Sequence, residues 1–294
     1  MDATKTALPL TVIVATTRCW PTANVCVRAV LSQARTVGAE LILADGHGSG
    51  FDPAACADVT WLRLPGAARL TLHARALEVA RGDVIAITED HVRPDPDWCE
   101  TILRAHRERP EVDVIVGAIR NASRKRLSDR ASFLLTSAPY APPLLQVPER
   151  APPFNNLSVK RRVLPASLRP GELEFDIVPG LFAVGKIAVD DRITAAHVQD
   201  VSMTAALVMH FHNGRTHGGT FIDDPRALRL RRARDALGIP RRLAAETYRE
   251  VAKRPASRYA RRDVAGVTLI AGAHAFGFLI GLITGRGNSP RRVT

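Results

Sequence analysis

The hydrophobic pattern alternates between short apolar runs and helical periodicity over the first 120 residues or so. Strand-like runs, brief and rich in β-branched residues, cover residues 10–15, 41–44, 59–64, 84–87 and 112–117. Between them, apolar residues recur at helical spacing over residues 21–37, 70–77 and 97–106. Buried parallel strands connected by amphipathic helices give this pattern. It predicts an α/β protein with an open, mostly parallel central sheet flanked by helices, which binds ligands beyond the carboxyl ends of its strands.

The pattern changes twice further along the chain. Residues 122–170 contain clustered prolines and are predicted to be loop-rich, whereas helical spacing returns over 172–184 and a short strand over 186–189. Residues 226–262 carry thirteen Lys or Arg against three acids and are predicted to be helical, with breaks at 238–240 and 255. Residues 264–285 are apolar and Gly-rich. We therefore expect one domain over residues 1–225 and a basic, then apolar, C-terminal helical segment over 226–294.

The composition is that of a folded protein with an excess of positive charge. Of the 294 residues, 46% are hydrophobic and 24% charged, and the formal net charge is +12. Such a charge suits nucleic acid, an anionic membrane or a phosphorylated substrate. The arginines after residue 226 lack interleaved aromatics, which argues against nucleic acid. Cys19, Cys26, Cys56 and Cys99 form no Cys-x-x-Cys pair, so we expect free thiols in a reducing compartment and no zinc site.

The clearest strand ends in a polar turn, Thr88-Glu89-Asp90-His91. Carboxylates at the ligand-binding edge of a sheet suit Mg²⁺ or Mn²⁺, which commonly bridge a protein to substrate phosphates. Such a metal neutralises the charge that grows on a diphosphate leaving group. Spacing alone leaves a second interpretation open, in which the turn is an ordinary polar loop and Asp90 caps it.

The neighbouring sequence favours the metal-site interpretation through a family resemblance. Residues 74–98 contain an Ala-Arg pair on a helix, then Arg81-Gly82-Asp83, the strand with its acidic end, and a Pro-Asp-x-Trp helix start. This block resembles the centre of the inverting GT-A glycosyltransferases of the family 2 type. Residues 41–46, 154–161 and 172–176 are similar to other blocks of that family, so the resemblance extends over about residues 10–220.

The resemblance implies a GT-A (nucleotide-diphospho-sugar transferase) fold and a hexosyltransferase-like enzyme. The implied reaction moves a sugar, with inversion, from a nucleoside-diphosphate sugar to an acceptor hydroxyl on a lipid-linked or cell-envelope glycan. The implied cofactor is Mn²⁺ or Mg²⁺, with Asp90, His91 and the distant His197 as metal ligands. The residues implied at the nucleotide sugar are Thr16, Asp45, Arg75, Glu89 and Asp90.

A single carboxylate suffices as general base for inversion, because it only has to take the proton of the acceptor hydroxyl. Counting back from Gly185, the resemblance puts Glu174 in that position, with Glu172 as the alternative. Both acids would instead be solvent-exposed if this segment were simply a helix start.

Two further patterns have competing interpretations. The spacing of His210, His212 and His217 could form a zinc site, but no carboxylate or cysteine is adjacent. We therefore expect this segment to be a loop over the diphosphate, with Arg215 as counter-charge. Residues 46–50 are glycine-rich but follow the second strand and lack dinucleotide-binding spacing, which disfavours a Rossmann dehydrogenase. A nucleotidyltransferase is also disfavoured, because the sequence lacks the Gly-rich phosphate loop that this enzyme would need after the first strand. The competing function is a non-catalytic, basic membrane- or nucleic-acid-binding protein that retains the fold.

The C-terminal apolar stretch, residues 264–283, is long enough to cross a bilayer with some tilt. The arginines before it would lie at an anionic lipid surface. The alternative is a helix packed on the catalytic domain or across a homodimer. We expect a cytoplasmic protein attached peripherally to the inner face of the cell membrane, where a lipid-linked acceptor would be accessible.

Overall fold

The computed structural model describes residues 8–18, 20–48, 50–51, 57–123, 126–144, 147, 152–198, 200–253 and 261–292. The chain divides into two compact units. The first unit comprises Met1–Arg120 and Tyr140–His197, and the second comprises Asn121–Pro139 and Val198–Thr294. The boundary predicted after residue 225 falls inside the second unit, because helices on both sides of that boundary share one apolar core.

Eight strands and nine α-helices follow one another in the described part of the chain. In order they are β1 (Leu8–Thr16), α1 (Trp20–Val37), β2 (Glu40–Asp45), β3 (Val59–Arg63), α2 (Arg69–Val79), β4 (Gly82–Glu89), β5 (Val92–Pro94), α3 (Trp98–Glu108), β6 (Val114–Asn121), α4 (Leu127–Ser137), β7 (Leu157–Lys160), α5 (Val178–Ala183), β8 (Ile187–His197), α6 (Met203–Gly218), α7 (Arg226–Leu237), α8 (Ile239–Ala252) and α9 (Arg261–Thr284). The predicted helix break at residue 238 is confirmed between α7 and α8.

One mixed sheet forms the first unit, in the order β3-β2-β1-β4-β7-β6-β8-β5. Strands β1 to β4 pair in parallel, and these are the strands whose apolar runs predicted a parallel sheet. Strand β7 then runs antiparallel to both β4 and β6, and β5 runs antiparallel to β8. The predicted α/β sheet is confirmed, and its second half is antiparallel.

Two elements correct the prediction of a loop-rich stretch over residues 122–170. Strand β7 is only four residues long, too short for its alternation to stand out among the prolines. Helix α4 ends at Ser137, before the prolines begin. It buries Ala131 and Leu134 in the same apolar cluster as Val267 and Ile270 of α9, and this tertiary contact outweighs the weak local pattern.

A buried histidine in α3 makes the stability of the first unit depend on pH. His106 is 5% exposed and its Nε2 lies 2.9 Å from Oγ of Ser158. Burial, helped by the charge of Lys160, lowers the pKa of His106 from 6.5 to about 4. Between these pH values the unfolded chain binds more protons than the folded protein, so stability is lost as the pH falls from 6.5 towards 4. The difference corresponds to about 3 kcal/mol.

We expect His106→Gln to remove this pH-dependent loss. The glutamine amide can still hydrogen-bond to Ser158, but it does not titrate. Urea unfolding measured from pH 7 to pH 4 should show the wild type losing about 3 kcal/mol more than the variant. Parallel stability curves for the two proteins would show that His106 does not titrate as its burial implies.

In the second unit, helices α6 and α9 are held in backbone contact by glycines. A Cβ on Gly214 or Gly218 would lie 1.9 or 2.1 Å from the carbonyl oxygens of His274 and Phe278. A Cβ on Gly277 or Gly281 would lie 2.0 or 2.3 Å from the carbonyl oxygens of Phe211 and Arg215. In each pair of contacts, the glycine four residues later in its helix meets a residue four positions later in the other helix. Helices α6 and α9 therefore run parallel. Each contributes a Gly-x-x-x-Gly pair, the motif with which helices pack closely in membranes.

We expect Gly277→Ala to destabilise this helix pair by about 3 kcal/mol or more, because the added methyl group meets backbone that cannot rotate away. Gly272 of α9 is the matched control, since a Cβ there meets nothing within 4 Å. Gly272→Ala should therefore stabilise the helix by about 1 kcal/mol. Denaturant unfolding of both variants tests the packing, and equal effects of the two alanines would contradict it.

Candidate functional site

Polar residues end three neighbouring parallel strands at the same edge of the sheet. Thr16 of β1 is paired in register with Asp45 of β2, and Ala15 is paired with Glu89 of β4. His197, the last residue of β8, is paired with Val92 just beyond the acidic turn. The sheet therefore brings His197 to Glu89 and His91, although more than a hundred residues separate them in sequence.

A carboxylate and two imidazoles converge at this edge. Oε2 of Glu89 lies 3.3 Å from Nε2 of His91 and 3.7 Å from Nε2 of His197. The two rings meet edge to face with centroids 4.6 Å apart. The ligand atoms of all three residues lie within 4.8 Å of one another. We call Glu89, His91 and His197 the Glu-His-His cluster.

Asp90 lies behind this cluster and holds His91. Its Oδ1 accepts a 2.6 Å hydrogen bond from Nδ1 of His91, and its Oδ2 accepts one of 2.6 Å from Oγ1 of Thr16. Arg18 lies 4.0 Å from the same carboxylate. Because both oxygens of Asp90 are engaged and the side chain is buried, the structure places Asp90 next to His91 and leaves Nε2 of that ring directed at Glu89.

The electrostatics of the cluster favour the charged form of Glu89 and the neutral form of His197. Burial raises the pKa of Glu89, but the hydrogen bond from His197 and the nearby His91 and Arg69 outweigh it, so the net shift is downward. Burial is also the main reason that the pKa of His197 is lowered. An ionised carboxylate and a neutral imidazole are the forms in which Glu89 and His197 would bind a metal ion.

The Glu-His-His cluster fits a divalent metal ion by chemistry and by spacing. Ligands at about 2.1 Å from one ion stand roughly 3.0–3.4 Å apart, close to the distances between Glu89 and the two rings. The hydrogen bond from His91 to Asp90 is the carboxylate–histidine arrangement that commonly orients a ligating imidazole. The cluster can thus hold a metal with Glu89, His91 and His197 as ligands and Asp90 in support.

Helix α2 connects this cluster to a second buried carboxylate. Nη1 of Arg69 lies 3.7 Å from Oε1 of Glu89, and Nδ1 of His73 lies 2.7 Å from Oε1 of Glu174. Arg69 and His73 are four residues apart and so occupy the same face of the helix, one turn from each other. One helix face therefore contacts both Glu89 and Glu174.

Glu174 and Glu172 differ sharply in their surroundings. Glu174 lies in a short π-helix, Leu173–Ile177, and is 8% exposed, while its partner His73 is fully buried. Nε2 of His73 has no hydrogen-bond partner among the described residues, so the polar contact of this buried ring is with Glu174. Glu172 instead binds the backbone and side chain of Arg169 at the surface. A single π-helical turn is a common local feature of functional sites.

Asp45 organises the turn that follows β2. Its Oδ1 accepts hydrogen bonds of 2.8 Å from the amides of His47 and Gly48, and its Oδ2 accepts one of 3.1 Å from Nε1 of Trp61. Gly48 has a φ of +76°, which favours glycine at this turn. Asp45 is therefore a buried anchor that fixes the predicted glycine-rich turn beside a half-buried tryptophan.

Arg75 and Arg215, also singled out from the sequence, form other contacts. Arg75 projects from the exposed side of α2 and pairs with Glu78 at 2.8 Å. Arg215 belongs to the second unit, where its guanidinium binds the carbonyl of Gly285 and the hydroxyl of Thr284. The loop predicted around Arg215 is wrong, because residues 203–218 form the continuous helix α6, which its glycines pack against α9.

Arg18, Arg69 and His73 were not identified from the sequence. Arg69 and His73 share a helix face, but only the fold shows that this face meets two carboxylates. Arg18 lies just past β1, where only tertiary structure brings it to Asp90. Of the four cysteines, Cys26 and Cys99 are buried free thiols, and Cys19 and Cys56 lie outside the described residues.

Comparison with known proteins gives structural likenesses at low sequence identity. No family model and no curated protein sequence matches the chain. A structure of GalNAc-T7 with UDP, GalNAc and Mn²⁺ is similar at 12% identity and a TM-score of 0.46, over 67% of this chain and 45% of that one. A structure of S. aureus TarS, residues 1–349, is similar at 10% identity and a TM-score of 0.46, over 90% of each chain.

A TM-score of 0.46 is too low to assign a fold family to this chain, whereas its own strands and helices confirm the predicted α/β sheet flanked by helices, with a C-terminal helix. The likenesses are too weak to transfer a substrate or a residue's role. The chain also spans less than half of the GalNAc-T7 chain. The function below is therefore argued from the site itself.

Proposed function

We propose that this protein is an inverting glycosyltransferase that transfers a sugar from a nucleoside-diphosphate sugar to an acceptor hydroxyl. The observation that carries the proposal is that one face of α2 contacts two separate buried carboxylate sites. At one end, Arg69 meets the Glu-His-His cluster, and at the other, His73 holds Glu174. Diphosphate-binding groups and a separate carboxylate base, about one helical turn apart along α2, suit transfer from a diphosphate leaving group.

Glu174 is the proposed general base. Inversion requires one group that removes the proton of the acceptor hydroxyl as its oxygen attacks the anomeric carbon. His73 can donate a hydrogen bond to Oε1 of Glu174, which fixes the carboxylate and leaves Oε2 to accept the proton. Glu172 is a weaker candidate, because its carboxylate is already bound to Arg169 at the surface.

The leaving nucleoside diphosphate would be held at the Glu-His-His end of the site. Arg18 and Arg69 bring positive charge to this edge, where it stabilises the developing diphosphate anion. Asp45 and its turn, beside Trp61, offer a rigid place for the nucleoside. A bound divalent metal would add further charge neutralisation at the diphosphate.

The metal proposed for the Glu-His-His cluster is Mn²⁺ rather than Mg²⁺. Mg²⁺ strongly prefers oxygen ligands, whereas two of the three donors here are imidazole nitrogens. Mn²⁺ accepts both nitrogen and oxygen donors and still binds phosphate oxygens. Asp90, predicted from the sequence as a ligand, would orient His91 in this arrangement.

A thermal-shift screen of nucleotide sugars tests this function directly. UDP-, GDP- and dTDP-sugars, each with and without Mn²⁺, should include one that stabilises the protein by about 2.7 kcal/mol at a hundredfold excess over its Kd. The same donor should then be hydrolysed slowly, or transferred when an acceptor is supplied. Glu174→Gln should be stabilised equally by that donor and fail to turn it over.

The competing function, a non-catalytic binding protein that retains the fold, predicts the opposite. No nucleotide sugar would then shift the melting temperature with or without Mn²⁺, and Glu89→Ala would change nothing. That pair of results would overturn the transferase proposal.

A further inference from the structure

The donor atoms of the Glu-His-His cluster are softer than those that Mn²⁺ prefers. Two of the three are imidazole nitrogens, from His91 and His197, and the third is a carboxylate oxygen of Glu89. Carboxylate, carbonyl and water oxygens suit Mn²⁺, whereas imidazole nitrogens suit Zn²⁺, Cu²⁺ and Ni²⁺. One glutamate with two histidines is also a ligand set of catalytic zinc sites. By donor type, the cluster therefore favours Zn²⁺ over Mn²⁺.

The distances within the cluster favour the same ion. Oε2 of Glu89 lies 3.3 Å from Nε2 of His91 and 3.7 Å from Nε2 of His197. With each donor about 2.1 Å from one ion, these separations correspond to ligand–metal–ligand angles of about 104° and about 124°. A tetrahedral zinc site has angles of about 109°, whereas adjacent ligands of an octahedral ion stand at about 90° and about 3.0 Å apart. The cluster is thus as open as a tetrahedral site requires.

The surrounding contacts hold these angles in place. Nδ1 of His91 donates a 2.6 Å hydrogen bond to Asp90, whose other oxygen accepts one of 2.6 Å from Thr16. A histidine fixed by a carboxylate in this way is a common arrangement at zinc sites. His197 is 3% exposed and ends β8, where it is paired with Val92. Neither imidazole is therefore free to swing towards the narrower angles that an octahedral ion requires.

The two ions would leave different numbers of coordination positions open. An octahedral Mn²⁺ ion with three protein ligands keeps about three positions, enough for two oxygens of a diphosphate and a water. A tetrahedral Zn²⁺ ion with three protein ligands keeps about one. A Zn²⁺ ion would thus occupy the cluster without holding the diphosphate at two points.

We propose that His91 and His197 set the metal specificity of the cluster in favour of Zn²⁺, and that Zn²⁺ inhibits the protein by displacing Mn²⁺. The preference depends on the three ligands alone. The inhibition rests on the proposed function, because it requires a diphosphate that Mn²⁺ holds and Zn²⁺ does not. Replacing a histidine by a carboxylate should shift the preference back towards Mn²⁺.

Displacement of Mn²⁺ by Zn²⁺ tests the preference without any nucleotide sugar. Electron paramagnetic resonance of the full-length protein, loaded with one equivalent of Mn²⁺, reports the ion that is released into solution. One equivalent of Zn²⁺ should release about nine-tenths of the Mn²⁺, because the cluster should bind Zn²⁺ at least about 100-fold more tightly. One equivalent of Mg²⁺ should release almost none.

His197→Glu isolates the contribution of an imidazole. Glutamate extends about as far from the backbone as histidine and replaces a nitrogen donor by a carboxylate oxygen, so the ratio of Zn²⁺ to Mn²⁺ affinity should fall by at least about tenfold. His91→Glu, at the more exposed of the two histidines, should shift the ratio in the same direction. Melting curves show that each variant is folded. His217→Gln is the matched control, because this histidine belongs to α6 of the second unit, and it should keep the wild-type ratio.

Turnover tests the inhibition. With the nucleotide sugar identified by thermal shift and one equivalent of Mn²⁺, Zn²⁺ at about one equivalent should remove about nine-tenths of the activity. Chelation of the Zn²⁺ followed by fresh Mn²⁺ should restore it, which separates inhibition from denaturation.

Mn²⁺ that stays bound in the presence of one equivalent of Zn²⁺ would overturn the preference, and so would an unchanged affinity ratio in both glutamate variants. If the wild type holds no Mn²⁺, titration of Zn²⁺ against a chromophoric chelator takes the place of the displacement assay, and a lack of Zn²⁺ binding overturns the proposal. Turnover with Mn²⁺ that Zn²⁺ leaves unchanged would overturn the inhibition. Failure of every nucleotide sugar to bind would instead contradict the proposed function and leave the displacement result standing.

Discussion

Replacing Glu174 with glutamine is expected to lower kcat by about 10²–10⁴-fold while KM for the donor stays nearly unchanged. Glutamine keeps the shape of the side chain, and its carbonyl oxygen can still accept the hydrogen bond from Nδ1 of His73. It cannot take the proton of an acceptor hydroxyl. The loss should therefore appear in the chemical step and leave donor binding intact.

Glu172→Gln is the matched control for this experiment, since Glu172 lies two residues away and binds Arg169 at the surface. We expect it to retain wild-type kcat. Steady-state kinetics with the donor identified by thermal shift measures both variants. A large loss for Glu172→Gln with full activity for Glu174→Gln would identify Glu172 as the base and contradict the role assigned to the His73–Glu174 pair.

The parallel half of the sheet was predictable because each strand carries its own local signal. The apolar runs that became β1, β2 and β4 are continuous and end in a polar residue, and their carboxyl ends meet at one edge in any parallel sheet. The same rule places Asp45 and Glu89 at the ligand-binding edge, in agreement with the roles that the family resemblance implies for them. Strand β7 and helix α4 lacked such signals, because their burial depends on partners far along the chain.

In the candidate site, too, the sequence predicts features of a single strand end, but it does not predict contacts between distant segments. Sequence spacing identified the acidic turn, but it could not decide which of Glu89, Asp90 and His91 face one another. The decisive contact is the pairing of His197 with Val92, which brings β8 beside the turn. His73 is the clearest omission, since a lone histidine on a helix gives no sign that it will meet Glu174 across 101 positions of sequence.

Removing either imidazole of the Glu-His-His cluster is expected to abolish metal binding. His197→Ala and His91→Ala each leave two ligands of three, and Mn²⁺ affinity should fall by more than about 100-fold. Turnover of the nucleotide sugar should fall with it and should not recover at accessible Mn²⁺ concentrations. Titration of Mn²⁺ followed by electron paramagnetic resonance reports the free ion and so measures binding independently of activity.

Asp90→Asn should give a smaller effect, because Asp90 supports His91 and is not itself a ligand in the proposed arrangement. Mn²⁺ affinity should fall by about 10–100-fold, and excess Mn²⁺ should restore turnover. Asp83→Asn is the control, since this exposed acid lies at the opposite end of the same strand as Glu89. Its Mn²⁺ affinity should equal that of the wild type.

The order of these effects distinguishes two arrangements of the acidic turn. If Asp90 were the ligand and His91 its neighbour, Asp90→Asn would be the more damaging change and His91→Ala the milder one. If the turn were only a polar loop, all three variants would bind Mn²⁺ as weakly as the wild type. The hydrogen bond from Nδ1 of His91 to Asp90 leaves Nε2 directed at Glu89. This geometry predicts that His91→Ala is more damaging than Asp90→Asn.

The same two imidazoles should make Mg²⁺ a poor substitute for Mn²⁺ in restoring activity to the metal-free protein.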